Sequence, residues 1–320
     1  MRCTARAPGA GSVATIKTAI VGLGKIARDQ HISAVAASDR IELVAIASPH
    51  DQLDGTPSFP DIESLIRETP QLAAVAICTP PQTRCRIARY ALEHGLHVLL
   101  EKPPGTTVSQ VLELIATAER EGVALFASWH SRHAPGVEPA RAWLAGRKIL
   151  GVKIAWKEDV RVWHPGQDWL WKAGGLGVFD PGINAISIAT KILPGRLVLE
   201  DAEMDFPLNC ETPIAARLLW TGPDRAPVHA EFDFRQTGAP TWAIEVITDR
   251  GRLTLLKGGE ALTIDDRIVA IDRVPEYASL YAHFAGLVEG RRIDADVAPL
   301  QHVADAFLCG RRQDVAPFVA

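Results

Sequence analysis

Three stretches of this chain carry residues whose types and spacing could do chemistry. The first is Thr18 to Ala27, T-A-I-V-G-L-G-K-I-A, where Gly22, Gly24 and Ala27 fall into G-x-G-x-x-A spacing directly after a short apolar run. Gly22 suits a tight turn out of a strand, Gly24 lets backbone approach a pyrophosphate, and Ala27 lets a helix pack close to a sheet. A phosphate would sit on the helix N-terminus beside Lys25 and Ile26. The second stretch is Glu101-Lys102-Pro103-Pro104, a cation fixed next to two ring-constrained residues. The third runs from Val162 to Asn184, where Trp163, Trp169 and Trp171 are interleaved with His164, Gln167 and Asp168 before a glycine-rich run reaches Asp180-Pro181 and Asn184. Tryptophan faces cover apolar C–H surface while polar neighbours read hydroxyls, so this loop is expected to be a sugar platform. Asp180 before Pro181 reads locally as N-cap and N1, and Asp180 and Asn184, four apart, share one helix face.

The elements that must position these residues follow from periodicity. Short apolar runs at Thr18 to Val21, Ile41 to Ala47, Ala73 to Cys78, His97 to Leu100 and Val123 to Ala127 alternate with helical stretches, the rhythm of a doubly wound parallel sheet. Gly95 and Gly122 stand where helices need a C-terminal residue of positive φ. Ligands bind at the carboxyl ends of such strands. That selects Gly22 to Gly24, Ser48, Thr79 to Pro81, Glu101 to Pro104 and Trp129 to His130, with Thr79 and Pro80 as a rigid wall beside a nicotinamide. Ser48 ends the second strand where NAD-preferring domains carry a carboxylate, and its neighbours are Pro49 and His50 rather than an arginine; use of both NAD and NADP is therefore expected.

Beyond Val137 the pattern becomes strand-like alternation, as at Val228 to Arg235, where apolar and polar residues alternate strictly as in a half-buried antiparallel strand. The expected architecture is α/β: a disordered extension (1–16), a dinucleotide-binding Rossmann domain (17–135), and an α+β domain (136–320) with an open, largely antiparallel sheet. The last helix of that second domain is a candidate to pack back on the first.

Composition narrows the function. With 47% apolar and 22% charged residues the 320-residue chain can bury real cores, and its 34 basic and 38 acidic residues are mixed without a basic stripe, so neither nucleic acid nor membrane is expected as partner. Five cysteines without C-x-x-C spacing suggest no disulfide framework and no zinc site, which fits a reducing cytoplasm. His130-Ser131-Arg132-His133 has H-x-x-H spacing, but without a third ligand it makes no metal site.

On G-x-G-x-x-A, Glu101-Lys102-Pro103 and Asp180-x-x-x-Asn184, the chain resembles the glucose-fructose oxidoreductase, inositol dehydrogenase and MocA family over everything past its N-terminal tail. The resemblance implies that Lys102 and Asp180 are catalytic, and that the open sheet covers the nicotinamide pocket and helps form a homodimer or higher oligomer. Many members have histidine where this chain has Asn184, which cannot take a proton. That departure, with His-Pro-Gly-Gln-Asp-Trp before it, is similar to the bacterial L-arabinose and D-galactose 1-dehydrogenase subgroup. The likeness implies sugar contacts at Lys102, His130, Glu158, Trp163, His164, Asp180, Asn184 and Trp242. An NAD(P)-dependent aldose 1-dehydrogenase with Asp180 as base is the expectation. A sensor that binds without turnover, or a dehydrogenase of inositols, are its rivals.

Overall fold

The computed structural model describes residues 15–319. Most of the expected extension thus lies outside the described residues, and the sheet starts at Ile16, whose amide donates to Arg40 O at 2.8 Å, two residues before the apolar run that begins at Thr18. Six strands, β1 (Ile16–Val21), β2 (Ile41–Ala47), β3 (Ser58–Phe59), β4 (Ala74–Ile77), β5 (His97–Leu100) and β6 (Leu125–Ala127), build an entirely parallel sheet. Their interiors are Val, Ile, Leu and Ala, as strands covered on both faces require. A second sheet holds β7 (Ile149–Lys157), β8 (Val198–Pro207), β9 (Ala215–Thr221), β10 (Pro227–Asp233), β11 (Thr241–Thr248), β12 (Gly251–Leu256), β13 (Ala261–Ile264) and β14 (Arg267–Ile268). β15 (Ile293–Asp294) returns to the first sheet and β16 (Arg311–Val315) joins the second, giving orders β15-β6-β5-β4-β1-β2-β3 and β14-β13-β12-β11-β7-β10-β9-β8-β16.

The fold is α/β with a parallel Rossmann sheet and a mixed, largely antiparallel second sheet. β10 corrects one expectation. Its burial alternates as its sequence implies, and it pairs antiparallel with β9, but it runs parallel to β7, because the crossover through residues 158–197 starts β8 in the direction of β7 and two antiparallel steps, β8 to β9 and β9 to β10, restore that direction. The helix Glu276–Gly290 packs Tyr277, Leu280, Tyr281 and Phe284 into one core with Ile20, Leu23, Ala27 and Ile46, so the parallel sheet takes covering residues from late in the chain. Among the described residues no helix is long and apolar enough to cross a membrane.

Candidate active site

The glycine motif forms the tight exit from β1. Gly22 has φ +93°, and a Cβ there would lie 2.8 Å from Thr79 Cγ2 and 2.9 Å from Thr79 N, so any side chain would drive the motif away from the loop after β4. At Gly24 a Cβ would meet nothing within 4 Å: the backbone faces open space at the start of the helix, as close approach of a pyrophosphate demands. Ala27 is fully buried against the sheet. These residues fit a dinucleotide, with Gly24, Lys25, Ile26, Thr79 and Pro80 all lining one cavity of about 380 Å³. Ser48 ends β2 and donates its amide to Phe59 O, outside that lining.

The same cavity brings together Lys102, Asp180, Trp163, His164 and Trp169. Lys102 Nζ lies 3.0 Å from Asp180 Oδ1 and donates to Asp180 O at 3.1 Å, joining the end of β5 to the helix Phe179–Ile192. Both side chains are largely buried, at 15% and 5% exposure, so their attraction is little screened. Asp180 is not an N-cap. The helix is entered at Val178 and Phe179, through a turn in which Gly177 takes φ +52° and sits so close to Pro213 O that a Cβ would be 2.3 Å from it. Asp180 therefore falls in the first helical turn, with its carboxylate free to face the cavity.

His164 stands between two carboxylates. Its Nε2 is 2.9 Å from Glu158 Oε1 and its Nδ1 is 3.7 Å from Asp180 Oδ2. Trp242 Nε1 donates to Glu158 Oε2 at 2.8 Å, and Trp163 packs edge-on to Trp242 at 4.8 Å. Glu158 and Trp242 are thus tied to the cavity through His164 and Trp163 rather than lining it themselves. Asn184 lies one helical turn beyond Asp180, half-buried and behind the lining. His130 is hydrogen-bonded to Glu276 at 2.9 Å and stacks on Tyr277 at 5.6 Å, at the carboxyl end of β6. Trp171 departs from the platform expected of it. Two positions from Trp169 in the 3₁₀ turn Asp168–Trp171, it points to another side and packs on Phe234 and Phe318.

Sequence placed Glu101 at the cleft but did not anticipate its inward role, nor His31, Arg84 and Arg28 beside the site. Glu101 borders the cavity, but its carboxylate turns inward, accepting from His31 Nε2 (3.0 Å), Tyr277 OH (2.6 Å) and Lys102 N (2.7 Å). Burial opposes its ionisation, yet the hydrogen bond and charge of His31 hold it well below the usual carboxylate range. Burial likewise opposes a charge on His31, but Cys78, Tyr281 and Glu101 together push its pKa well up. Arg84 is buried and donates to Thr79 O, Glu101 O and Pro103 O, fastening the loops after β4 and β5 to each other. Its signal was an arginine within the apolar stripe of the helix Pro81–Glu93. Arg28, in the π-turn Ala27–His31, reaches Asp51 at 3.1 Å and brings a cation to the turn after β2.

Comparison with known proteins bears on the family and the fold. Residues 16–128 match the model of an oxidoreductase family with an NAD-binding Rossmann fold. The chain belongs to that family and is an oxidoreductase. It is 43% identical to galactose 1-dehydrogenase of Pseudomonas fluorescens over 303 residues, covering 95% of this chain and 98% of that one. The crystal structure of a D-galactose-1-dehydrogenase protein from Rhizobium etli superimposes with TM-score 0.92 at 49% identity, covering 98% of this chain and all of that one. A 3-ketoreductase from Actinomadura kijaniata, solved with NADP and TDP-benzene, shares the fold at TM-score 0.82 and 20% identity.

Proposed function

We propose that this NAD(P)-linked sugar dehydrogenase oxidises C1 of D-galactose, D-fucose and L-arabinose to the lactone. The observation that carries the reading is the buried Lys102–Asp180 pair at the mouth of the dinucleotide cleft, in a chain alike over nearly its whole length to galactose 1-dehydrogenases. When bound, the nicotinamide supplies the hydride acceptor. Gly22, Gly24, Lys25, Ile26 and the Thr79-Pro80 wall hold the dinucleotide. The protein's task is the proton: loss of hydride from the anomeric carbon without loss of the O1 proton would leave a strongly acidic protonated lactone. Asp180 accepts that proton, since Asn184 has no basic atom. Lys102, as ammonium, holds O1 and stabilises the negative charge that develops on it. Trp163 covers an apolar face of the ring and His164 meets its hydroxyls, with Glu158 and Trp242 holding these two from outside the lining; Asn184 and His130 stand farther off and would reach the sugar only at its edge.

L-Arabinopyranose has the hydroxyl arrangement of D-galactopyranose at C2, C3 and C4 and lacks only C6, so a site that reads those three hydroxyls accepts both. Inverting C4, as in D-glucose or D-xylose, strands a buried polar group and costs about 1–3 kcal/mol. Either NAD or NADP serves, because no free carboxylate ends β2 and Arg28 stands by the turn. The open face of the second sheet, a groove lined by Lys153, Ala155, Leu219, His229 and Ala243, supports assembly with a second copy. Initial rates on galactose, fucose, arabinose, glucose, xylose and myo-inositol, each with NAD and NADP, test the assignment. Faster turnover of glucose or inositol than of both galactose and arabinose rules it out.

A further inference from the structure

Asp180 is expected to receive a proton while one of its oxygens is held 3.0 Å from Lys102 Nζ, which leaves Oδ2 as the oxygen that faces the rest of the site. Charge in the site is also unbalanced. Lys102 offsets Asp180, but Glu158, buried at 2% exposure, has among the described residues the Trp242 N–H and His164 as its side-chain partners. The remaining charged groups on the adjoining turn, Asp159 and Arg161, are paired with each other. Arg84 is committed to three carbonyl oxygens.

His164 fills the gap. With Nε2 donating to Glu158, its Nδ1 is an acceptor, and this buried atom has no hydrogen-bond partner among the described residues. It faces Asp180 Oδ2 at 3.7 Å. At that distance no hydrogen bond joins the two acceptors, and a proton that the reaction delivers to one of them can be shared with the other.

We propose that His164 is the second acceptor of the hydroxyl proton: Asp180 takes it from O1 and passes it to His164 Nδ1, while Glu158 orients the ring through Nε2. Only a proton moves in this transfer. The Oδ2–H bond of Asp180 breaks, the Nδ1–H bond of His164 forms, and the carboxylate is restored beside Lys102. The imidazolium then lies between Glu158 and Asp180, and its position on the cavity wall lets it release the proton once the lactone leaves. This deepens the sugar dehydrogenase reading and rests on it: the second basic group comes from the turn after Val160–Trp163.

Two measurements test it. In the protein without nucleotide or sugar, histidine-selective nitrogen-15 NMR is expected to find hydrogen on His164 Nε2 and none on Nδ1; hydrogen on Nδ1 overturns the proposal, whether or not any sugar is turned over. In kinetics, His164→Ala is expected to lower kcat by about 100-fold, with KM changing by less than about threefold, and added imidazole to restore turnover in proportion to its concentration. A loss confined to KM, or no rescue by imidazole, overturns the relay and leaves His164 a sugar contact. If His164→Ala is poorly folded, His164→Gln carries the same kcat and KM test. A wild-type protein that oxidises none of the sugars, yet has the expected tautomer, counts against the function and not against the hydrogen-bond arrangement.

Discussion

Glu101→Gln isolates what holds Lys102 in place. In the native protein one carboxylate oxygen accepts from both His31 and Tyr277, and the other from the Lys102 amide. A glutamine has only one acceptor oxygen. If its NH₂ faces Lys102 N–H, two donors collide; if it faces His31 and Tyr277, the tyrosine hydroxyl can turn to accept but the His31 N–H still meets a donor. Neither orientation satisfies the site, and the His31 imidazolium, fully buried, loses its counter-charge. Removing one partner of a buried pair typically costs 3–5 kcal/mol, so a loss of about 4 kcal/mol is expected, a large part of an ordinary domain's stability. Guanidinium unfolding followed by circular dichroism measures it. The pH dependence has a definite sign. Glu101, depressed in the folded protein, contributes stability that is present above its unfolded value of 4.5 and lost as pH falls through the folded value. His31, raised in the folded protein, contributes stability that is complete below its unfolded value of 6.5 and lost as pH rises through the folded value. The difference between wild type and variant is therefore fullest between pH 4.5 and 6.5. A loss below about 1 kcal/mol in that window would falsify the ionised pair, since it is the charge left unpaired that makes the substitution expensive.

Lys102→Ala and Asp180→Ala are each expected to lower kcat by about 100-fold or more, with folding checked by circular dichroism; near-normal turnover in a folded Asp180→Ala protein moves the base elsewhere. Arg28→Ala is expected to reduce kcat/KM for NADP by about tenfold while sparing NAD, because a 2′-phosphate would compete with Asp51 for the guanidinium. Equal losses with both nucleotides refute that role. Burial and the neighbouring His283 depress the His133 pKa to about 4, from 6.5 in the unfolded chain. The unfolded chain binds the proton first, so stability falls by about 3 kcal/mol as pH drops through that interval. His133→Asn should flatten this part of the stability curve, and an unchanged slope would assign it to other groups.

The strands were legible because their signal is local. β2 and β5 have the bounds that their apolar runs imply, and the turn Asp249-Arg250 joins β11 to β12 as a hairpin. Lys102, Asp180 and the glycine motif were legible because each sits in a short motif at a strand end or helix start. What escaped was held by contacts between distant residues. His31, Glu101 and Tyr277 are 70 and 176 positions apart in their pairings, and no spacing within any one segment announces them. The capping reading of Asp180 failed for a related reason. Asp-Pro is a strong local cap signal, but the turn at Gly177, fastened by Val178 N to Pro213 O, starts the helix sooner.

The dipeptide Glu101-Lys102 links these two kinds of information. Neighbouring residues leaving a strand point to opposite sides, so where β5 ends one side chain enters the body of the parallel sheet and the next enters the cleft. The carboxylate that looks inward accepts the amide of the very lysine that looks outward. Any change that loosens the His31–Glu101–Tyr277 cluster therefore also shifts the Lys102 backbone, and Nζ with it, relative to Asp180. His31→Phe removes the charge while filling the space. It should separate the two effects: stability falls because Glu101 is left buried without its cation, and kcat falls further than Lys102 chemistry alone requires if the amide anchor slackens. A His31→Phe protein that is destabilised yet retains wild-type kcat would mean that Arg84, through its bonds to Thr79 O, Glu101 O and Pro103 O, suffices to fix the strand end by itself.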